Sequence, residues 1–292
     1  MIEIRRASHF GFCFGVRDAI ALAETEASRG PATILGDLVH NPAVLESLRE
    51  KGVRIAHSIA EVETDRLIIT AHGTSDRNRE ALRRAGFDAL DATCPLVRHA
   101  HHALRRLVDE GFHPVVIGKR GHIEVRGLTG DFDGCEVIQN EVDITALTPR
   151  KRFGVVAQTT QPIARVKHLV GMLRRAFPDA EVRFEDTVCH PTKLRQEAVK
   201  NLSQSCDVVL VVGGRDSNNT AELVRAAAVF TPRVHHVQDA SELQSAWLTH
   251  ANRVGITAGT STPDHVIDAV EQRVRELTQE LPVEATAELA AC

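Results

Sequence analysis

"DATCPLVRHAHHALRRLV", residues 91–108, sets Cys94 and then Pro95 at the point where an amphipathic run begins. Proline suits the first turn of a helix, where its missing N–H is not needed. The stretch therefore reads as a helix with a thiol at its mouth. Two further stretches repeat the arrangement: "GFCFGVRDAIALAE" (residues 11–24) around Cys13 and "DTVCHPTKLRQEAV" (residues 186–199) around Cys189.

The repeat continues downstream. Each helical pattern is followed by an apolar strand ending in glycine: "ATILGDLVHN" (32–41), "PVVIGKRGHIE" (114–124) and "VVLVVGGRDSNN" (208–219). Gly36, Gly118 and Gly213 lie the same distance after their cysteines to within one residue. Four residues on stand His40, His122 and Ser217, and a second helical pattern opens. A second apolar strand then ends in alanine and small polar residues: "RLIITAHGTS" (66–75), "RFGVVAQTTQ" (152–161) and "RVGITAGTSTPD" (253–264), anchored by Ala71, Ala157 and Ala258. Strands alternating with helices imply parallel sheets. The chain divides into α/β units 1–93, 94–188 and 189–282, with a tail at 283–292. Ligand sites in such sheets fall at the carboxyl ends of the strands, where the polar loops lie.

Composition narrows the function classes. The chain has 292 residues, 43% hydrophobic and 25% charged, the balance of a globular protein with a sizeable core. A net charge of −4 argues against a general nucleic-acid or membrane-surface binder. Aromatics at 4%, with no Tyr, argue against a stacking platform for single strands. No apolar run reaches signal-peptide or membrane-spanning length, so the expected location is cytoplasmic. There thiols stay reduced, and six cysteines point to metal or catalysis before disulfides.

Three thiols in phase can converge on one metal centre. Zinc with a fourth ligand is one occupant, and a four-iron, four-sulfide cluster with one open iron is another. A helix mouth favours the thiolate that either needs. Gly11 and Gly15 flank Cys13 and leave room for close approach. Cys135 and Cys206 fall out of phase beside apolar strands and read as core; Cys292 reads as incidental. The run His99, His101, His102 lies on a helix without an acidic or thiol partner and reads as a solvated face.

The polar loops offer His40, His72, His122, Thr159, Thr160, Ser217, Asn218, Asn219 and Ser261. Donors gathered at helix N-termini suit phosphate or diphosphate, although Ser and Asn at such junctions also serve as caps. Glu124 is the clearest acid among the loop tips. A carboxyl beside an apolar pocket keeps its proton near neutral pH and can deliver it.

"GFCFGV", "GDLVHNPAVLESLREKGV", "AHGTS", "DATCPLV", "GHIEVRG", "AQTT", the third cysteine stretch and "TAGTSTPD" together resemble the 4-hydroxy-3-methylbut-2-enyl diphosphate reductase (IspH/LytB) family, from about residue 4 to residue 275. The resemblance implies a trefoil of three pseudo-threefold α/β units around a central [4Fe-4S] cluster, one per chain. It implies reductive removal of an allylic hydroxyl in the last step of the non-mevalonate (MEP) isoprenoid pathway, with electrons from a separate ferredoxin- or flavodoxin-type donor. Carried over by motif, Cys13, Cys94 and Cys189 match the cluster ligands and Glu124 the proton-delivering acid. Thr159 matches the residue that positions the hydroxyl, and His122 a histidine along the substrate. His40, His72, Ser217, Asn219 and Ser261 match diphosphate binders, with Thr160, Asn218 and Thr192 as further candidates. Asn218 departs from a frequent serine and Ile123 from a frequent proline, and "CHPTKLRQ" differs from the commoner form after the third cysteine. A non-redox hydratase or dehydratase using an open iron, and a metal-stabilised phosphate-binding module, are the competing readings.

Overall fold

The computed structural model of the protein describes residues 2–280; the expected tail at 283–292, and Cys292 with it, lies outside the described residues. The elements run β1 (Glu3–Arg6), α1 (Phe14–Arg29), β2 (Ala32–Leu35), α2 (Pro42–Glu50), β3 (Val53–Ala56), β4 (Arg66–Ile69), α3 (Asp76–Arg84) and β5 (Leu90–Asp91). Then come α4 (Pro95–Asp109), β6 (His113–Ile117), α5 (Ile123–Thr129), β7 (Glu136–Ile138), α6 (Glu141–Thr145), β8 (Arg152–Ala157), α7 (Ile163–Ala176) and β9 (Glu181–Phe184). The last are α8 (His190–Ser205), β10 (Val208–Val212), α9 (Asn218–Ala228), β11 (Val234–Val237), β12 (Arg253–Ala258) and α10 (Asp264–Glu280).

The strands form three four-stranded sheets of one topology: β3-β2-β4-β5, β7-β6-β8-β9 and β11-β10-β12-β1. Every pairing is parallel. The central strands carry continuous apolar runs because helices cover both faces; β10, Val-Val-Leu-Val-Val, is buried throughout. In each sheet the outer fourth strand leads straight into a cysteine. For the third sheet that strand is β1, whose Glu3–Arg6 pair with Arg253–Ile256. The repeat therefore closes on itself: the chain's first strand completes its last sheet, which the opening "IEIRR" is too short to announce.

The helix after each cysteine packs on the next sheet. Val97, Ala100, Leu104 and Leu107 put the apolar stripe of α4 inward, and the last three join the core around Val116 and Val156. Val199 and Leu202 of α8 do the same against Val209 and Val211. The contact is close because a glycine lies opposite. An added Cβ on Gly154 would stand 2.9 Å from Leu107 Cβ, and on Gly255 2.8 Å from Leu202 Cγ. These glycines hold the same place in "RFGVVA" and "RVGITA". In "RLIITA" Ile68 stands there, and the corresponding helical position is the buried Glu26, paired with Arg29.

Two compact units emerge from the packing. Among the described residues, one comprises 2–13, His40–Val44 and 193–280; the other comprises Phe14–Val39 and Leu45–Thr192. Among the described residues no helix is long and apolar enough to cross a membrane.

Candidate active site

The loops that carry the polar residues repeat down to single hydrogen bonds. The glycine after each first strand donates its amide to the end of the neighbouring edge strand: Gly36 to Ala56 O at 2.7 Å, Gly118 to Ile138 O at 3.0 Å, Gly213 to Val237 O at 2.9 Å. Gly36 and Gly213 take positive φ, +92° and +154°, which a side chain would resist. The turns release His40, His122 and Ser217 at the carboxyl ends of the sheets. The cysteines are fixed likewise: Cys94 N–H donates to Ala71 O, Cys189 N–H to Thr159 O and Cys13 N–H to Thr260 O, at 3.0, 3.0 and 3.2 Å.

The larger unit assembles the acid. Glu124 lies in the first turn of α5 and is only 2% exposed. The amide of Thr159 donates to its Oε1 at 2.6 Å. Burial pushes the Glu124 carboxyl up from 4.5 to about 7, against the pull of that hydrogen bond. Beside it His122 caps α5, its Nδ1 accepting from the Glu124 amide at 3.1 Å. Nδ1 is thus an acceptor, and in the neutral ring the proton sits on Nε2. His72, from the loop after β4, meets His122 edge-on, ring centroids 5.5 Å apart. Gln158 fixes the Thr159 loop; its Oε1 accepts from the Lys119 amide and from Gln161. Thr160 is half-buried next to Thr159.

Two of the three thiols lie in this unit. The thiols of Cys94 and Cys189 are half-buried and outside any disulfide, as is that of Cys13. Gly15, second residue of α1, lies against Cys94: an added Cβ would fall well inside contact distance of its Sγ. The sulfur of Cys189 stands 3.0 Å from Thr192 Oγ1. Thr192 is fully buried, and its hydroxyl accepts from that thiol.

In the smaller unit the loop residues form a nest of hydroxyl and amide donors. Ser217 caps α9, accepting from the Thr220 amide at 3.3 Å. Asn218 and Asn219 follow, both buried. Asn219 Oδ1 accepts from the Thr260 amide at 3.1 Å, which fixes the side-chain orientation. Its Nδ2 is buried with no hydrogen-bond partner among the described residues. A buried donor left unused is costly unless a ligand takes it. Ser261 donates to the His40 carbonyl at 3.3 Å. Gly214 brings its backbone against that same carbonyl, with 2.5 Å between an added Cβ and His40 O. Cys13 closes this set on the loop after β1.

Some positions differ from the sequence reading. His99 and His102 are exposed as expected, but His101 turns inward. It lies against Gly127 of α5, and burial holds its imidazole below the usual range. Cys206 is buried core, and Cys135 packs beside the core around Phe112, its thiol pushed up to about 12 by burial, which makes it inert. The spacing argument missed a second phase, three residues before each cysteine, where Asp91, Asp186 and Phe10 stand. "DATC" and "DTVC" displayed it. It also missed Arg195, a buried arginine inside "RQEAV".

The fold is α/β, and its loops carry free cysteine thiols and a buried carboxyl raised to about 7. The chain belongs to the LytB protein family, which matches residues 4–275. It is 39% identical over 285 residues to 4-hydroxy-3-methylbut-2-enyl diphosphate reductase of Aquifex aeolicus (strain VF5), covering 96% of this chain and 98% of the relative. The enzyme of the same name from Geobacter metallireducens is 36% identical over 279 residues, covering 94% and 98%. Among solved structures, the E-1-hydroxy-2-methyl-but-2-enyl-4-diphosphate reductase from Plasmodium falciparum superposes with a TM-score of 0.87 at 26% identity, over 95% of this chain and 88% of that one. A structure of (E)-4-hydroxy-3-methyl-but-2-enyl diphosphate reductase, the terminal enzyme of the non-mevalonate pathway, gives 0.67 at 38% identity, over 94% and 100%.

Proposed function

We propose that this chain is an oxidoreductase that removes the 4-hydroxyl of 4-hydroxy-3-methylbut-2-enyl diphosphate. Two electrons and two protons are consumed, water leaves, and isopentenyl and dimethylallyl diphosphate result. The observation that carries the reading is Glu124: a buried carboxyl poised near neutrality, fixed by the amide of Thr159 and preceded by a histidine cap.

The donor set fits an iron–sulfur cluster. Thiols are the soft ligands such clusters take, and the missing Cβ of Gly15 leaves space at the sulfur of Cys94. Cys13, Cys94 and Cys189, one from each α/β unit (1–93, 94–188, 189–282), would hold one [4Fe-4S] cluster per chain. Such a cluster, when bound, would relay the electrons and supply Lewis-acid chemistry.

The protein's own groups do the rest. Glu124, about half protonated at pH 7, delivers a proton to the leaving oxygen. Thr159 orients that hydroxyl, and the Nε2–H of His122 lies in the proton path. His40, His72, Thr160, Ser217, Asn218, Asn219 and Ser261 take the diphosphate, the idle Nδ2 of Asn219 being the clearest donor. Thr192, whose hydroxyl accepts from the Cys189 thiol, is a further diphosphate candidate. Electrons arrive from a separate ferredoxin- or flavodoxin-type protein.

The test is iron, acid-labile sulfide and zinc per chain after anaerobic purification, followed by turnover of the allylic diphosphate with a strong reductant. About four irons and four sulfides, with reductant-dependent formation of both products, is the expected result. Zinc that persists through reconstitution, or product formed equally without reductant, overturns the reading.

A further inference from the structure

Two of the three cysteine loops carry their own fastening. Asp91, three residues before Cys94, accepts from the Thr93 amide at 3.0 Å. Asp186, three residues before Cys189, accepts from the Val188 amide at 3.2 Å. Both are Asx turns, in which a short carboxylate folds back on the backbone two residues ahead and sets the direction of the next residues. Thr187 adds a second fastening, its hydroxyl donating to Ala157 O at 2.6 Å and accepting from the Ala157 amide at 2.9 Å.

The third loop cannot do this. Its sequence is Phe10-Gly11-Phe12-Cys13, with Phe10 where the other loops have aspartate. Gly11 takes φ +65° and is flexible by nature. Its amide reaches Ala258 O at 3.3 Å, near the limit for a backbone bond. Yet Arg195 of α8, only 6% exposed, donates from one terminal nitrogen to Gly11 O at 2.6 Å and toward Phe10 O at 3.5 Å. Hydrogen bonds from a charged donor are among the stronger ones. A buried guanidinium holds the Gly11 carbonyl, two residues upstream of Cys13, and reaches toward that of Phe10.

We infer that Arg195 is the positioning residue for Cys13, supplying from α8 the fastening that Asp91 and Asp186 supply from within their own loops. The device is inverted: a cation holds backbone carbonyls where elsewhere an anion holds backbone amides. The functional weight of the inference rests on the proposed role of the three cysteines as metal ligands, because a ligand must be held in place to be preorganised. The geometric claim can be tested without any metal.

The experiment is site-resolved thiol alkylation. The full-length chain is stripped of metal by a chelator under anaerobic conditions, its fold is checked by circular dichroism, and iodoacetamide labelling of each cysteine is followed by mass spectrometry. Arg195→Met is expected to speed labelling of Cys13 about tenfold, the opening expected from losing one charged hydrogen bond. Cys94 and Cys189 should keep their wild-type rates. Arg195→Lys, which retains charge but not the fork, should give an intermediate rate at Cys13, and it carries the test if the methionine variant does not fold. Asp186→Ala should act on Cys189 and spare Cys13. Equal acceleration of all three thiols in the Arg195 variants, or no change at Cys13, overturns the inference. Failure of the wild-type chain to take up iron and sulfide would instead strike the metal reading, and leaves this result standing or falling on its own.

Discussion

The Thr159 amide holds Glu124 from a loop on a different strand, β8, than the one that leads into α5. At 2.6 Å inside a buried site, that bond fixes the carboxyl, while burial outweighs its pull toward the ionised form. Glu124→Gln keeps the shape and the acceptor oxygen but has no acidic proton to give. Turnover should fall by about two orders of magnitude or more, with the KM for the diphosphate changed little. A variant with near wild-type turnover would remove Glu124 from the proton path.

The same burial sets a pH signature on stability. Folding raises the Glu124 carboxyl from 4.5 to about 7, so the folded chain holds this proton more tightly than the unfolded one. Stability from this group is complete below pH 4.5 and is lost as pH rises through about 7. The gap corresponds to about 3 kcal/mol above that window. Glu124→Gln should therefore match wild type in thermal stability near pH 4.5 and exceed it increasingly toward pH 8. Parallel melting curves across that range would contradict the burial argument.

Why the sequence revealed so much of this fold is visible in three places. The cysteine-to-glycine phase is a property of whole βα units, and the Gly36, Gly118 and Gly213 amides show that it extends to the hydrogen bonds. Gly154 and Gly255 repeat because a leucine of the cysteine helix must fit over the strand. The donors Ser217, Asn219 and Ser261 sit on short strand-to-helix turns, where sequence and space coincide. Long-range closure was hidden. Nothing in Glu3–Arg6 says that it pairs with Arg253–Ile256, because register between distant strands leaves no local pattern. Arg195 was hidden for the same reason, since its partners lie at the other end of the chain. His101 was misread as solvated because its helix meets α5 on the side that composition marked as polar.

Asn219 offers a sharper test of diphosphate binding than the histidines do. Its Oδ1 is committed to Thr260, so only Nδ2 is left to meet an anion. Asn219→Ala removes one donor to an anion and should raise KM about tenfold to a hundredfold while kcat moves far less. Asn219→Asp keeps the acceptor for Thr260 but sets a negative charge where the donor was, so its KM should rise further and respond to ionic strength. Equal KM values for the two variants would mean that this side chain does not meet the anion.

Glycine-to-alanine changes at two helical positions separate the needs of a site from those of a helix. Alanine is the better helix former by about 1 kcal/mol. At Gly171 in α7 the nearest atom to an added Cβ is Arg175 Nη1 at 3.5 Å, an ordinary contact, so Gly171→Ala should stabilise the chain by about 0.5–1 kcal/mol. At Gly15 the same methyl group would press on the sulfur of Cys94 and stand 3.1 Å from its Cβ. Gly15→Ala should gain the same helical preference yet retain less iron and sulfide per chain after anaerobic reconstitution, because the sulfur must move from the position that the glycine leaves open. Full metal retention in Gly15→Ala, with stability raised as in Gly171→Ala, would show that the close approach is packing alone.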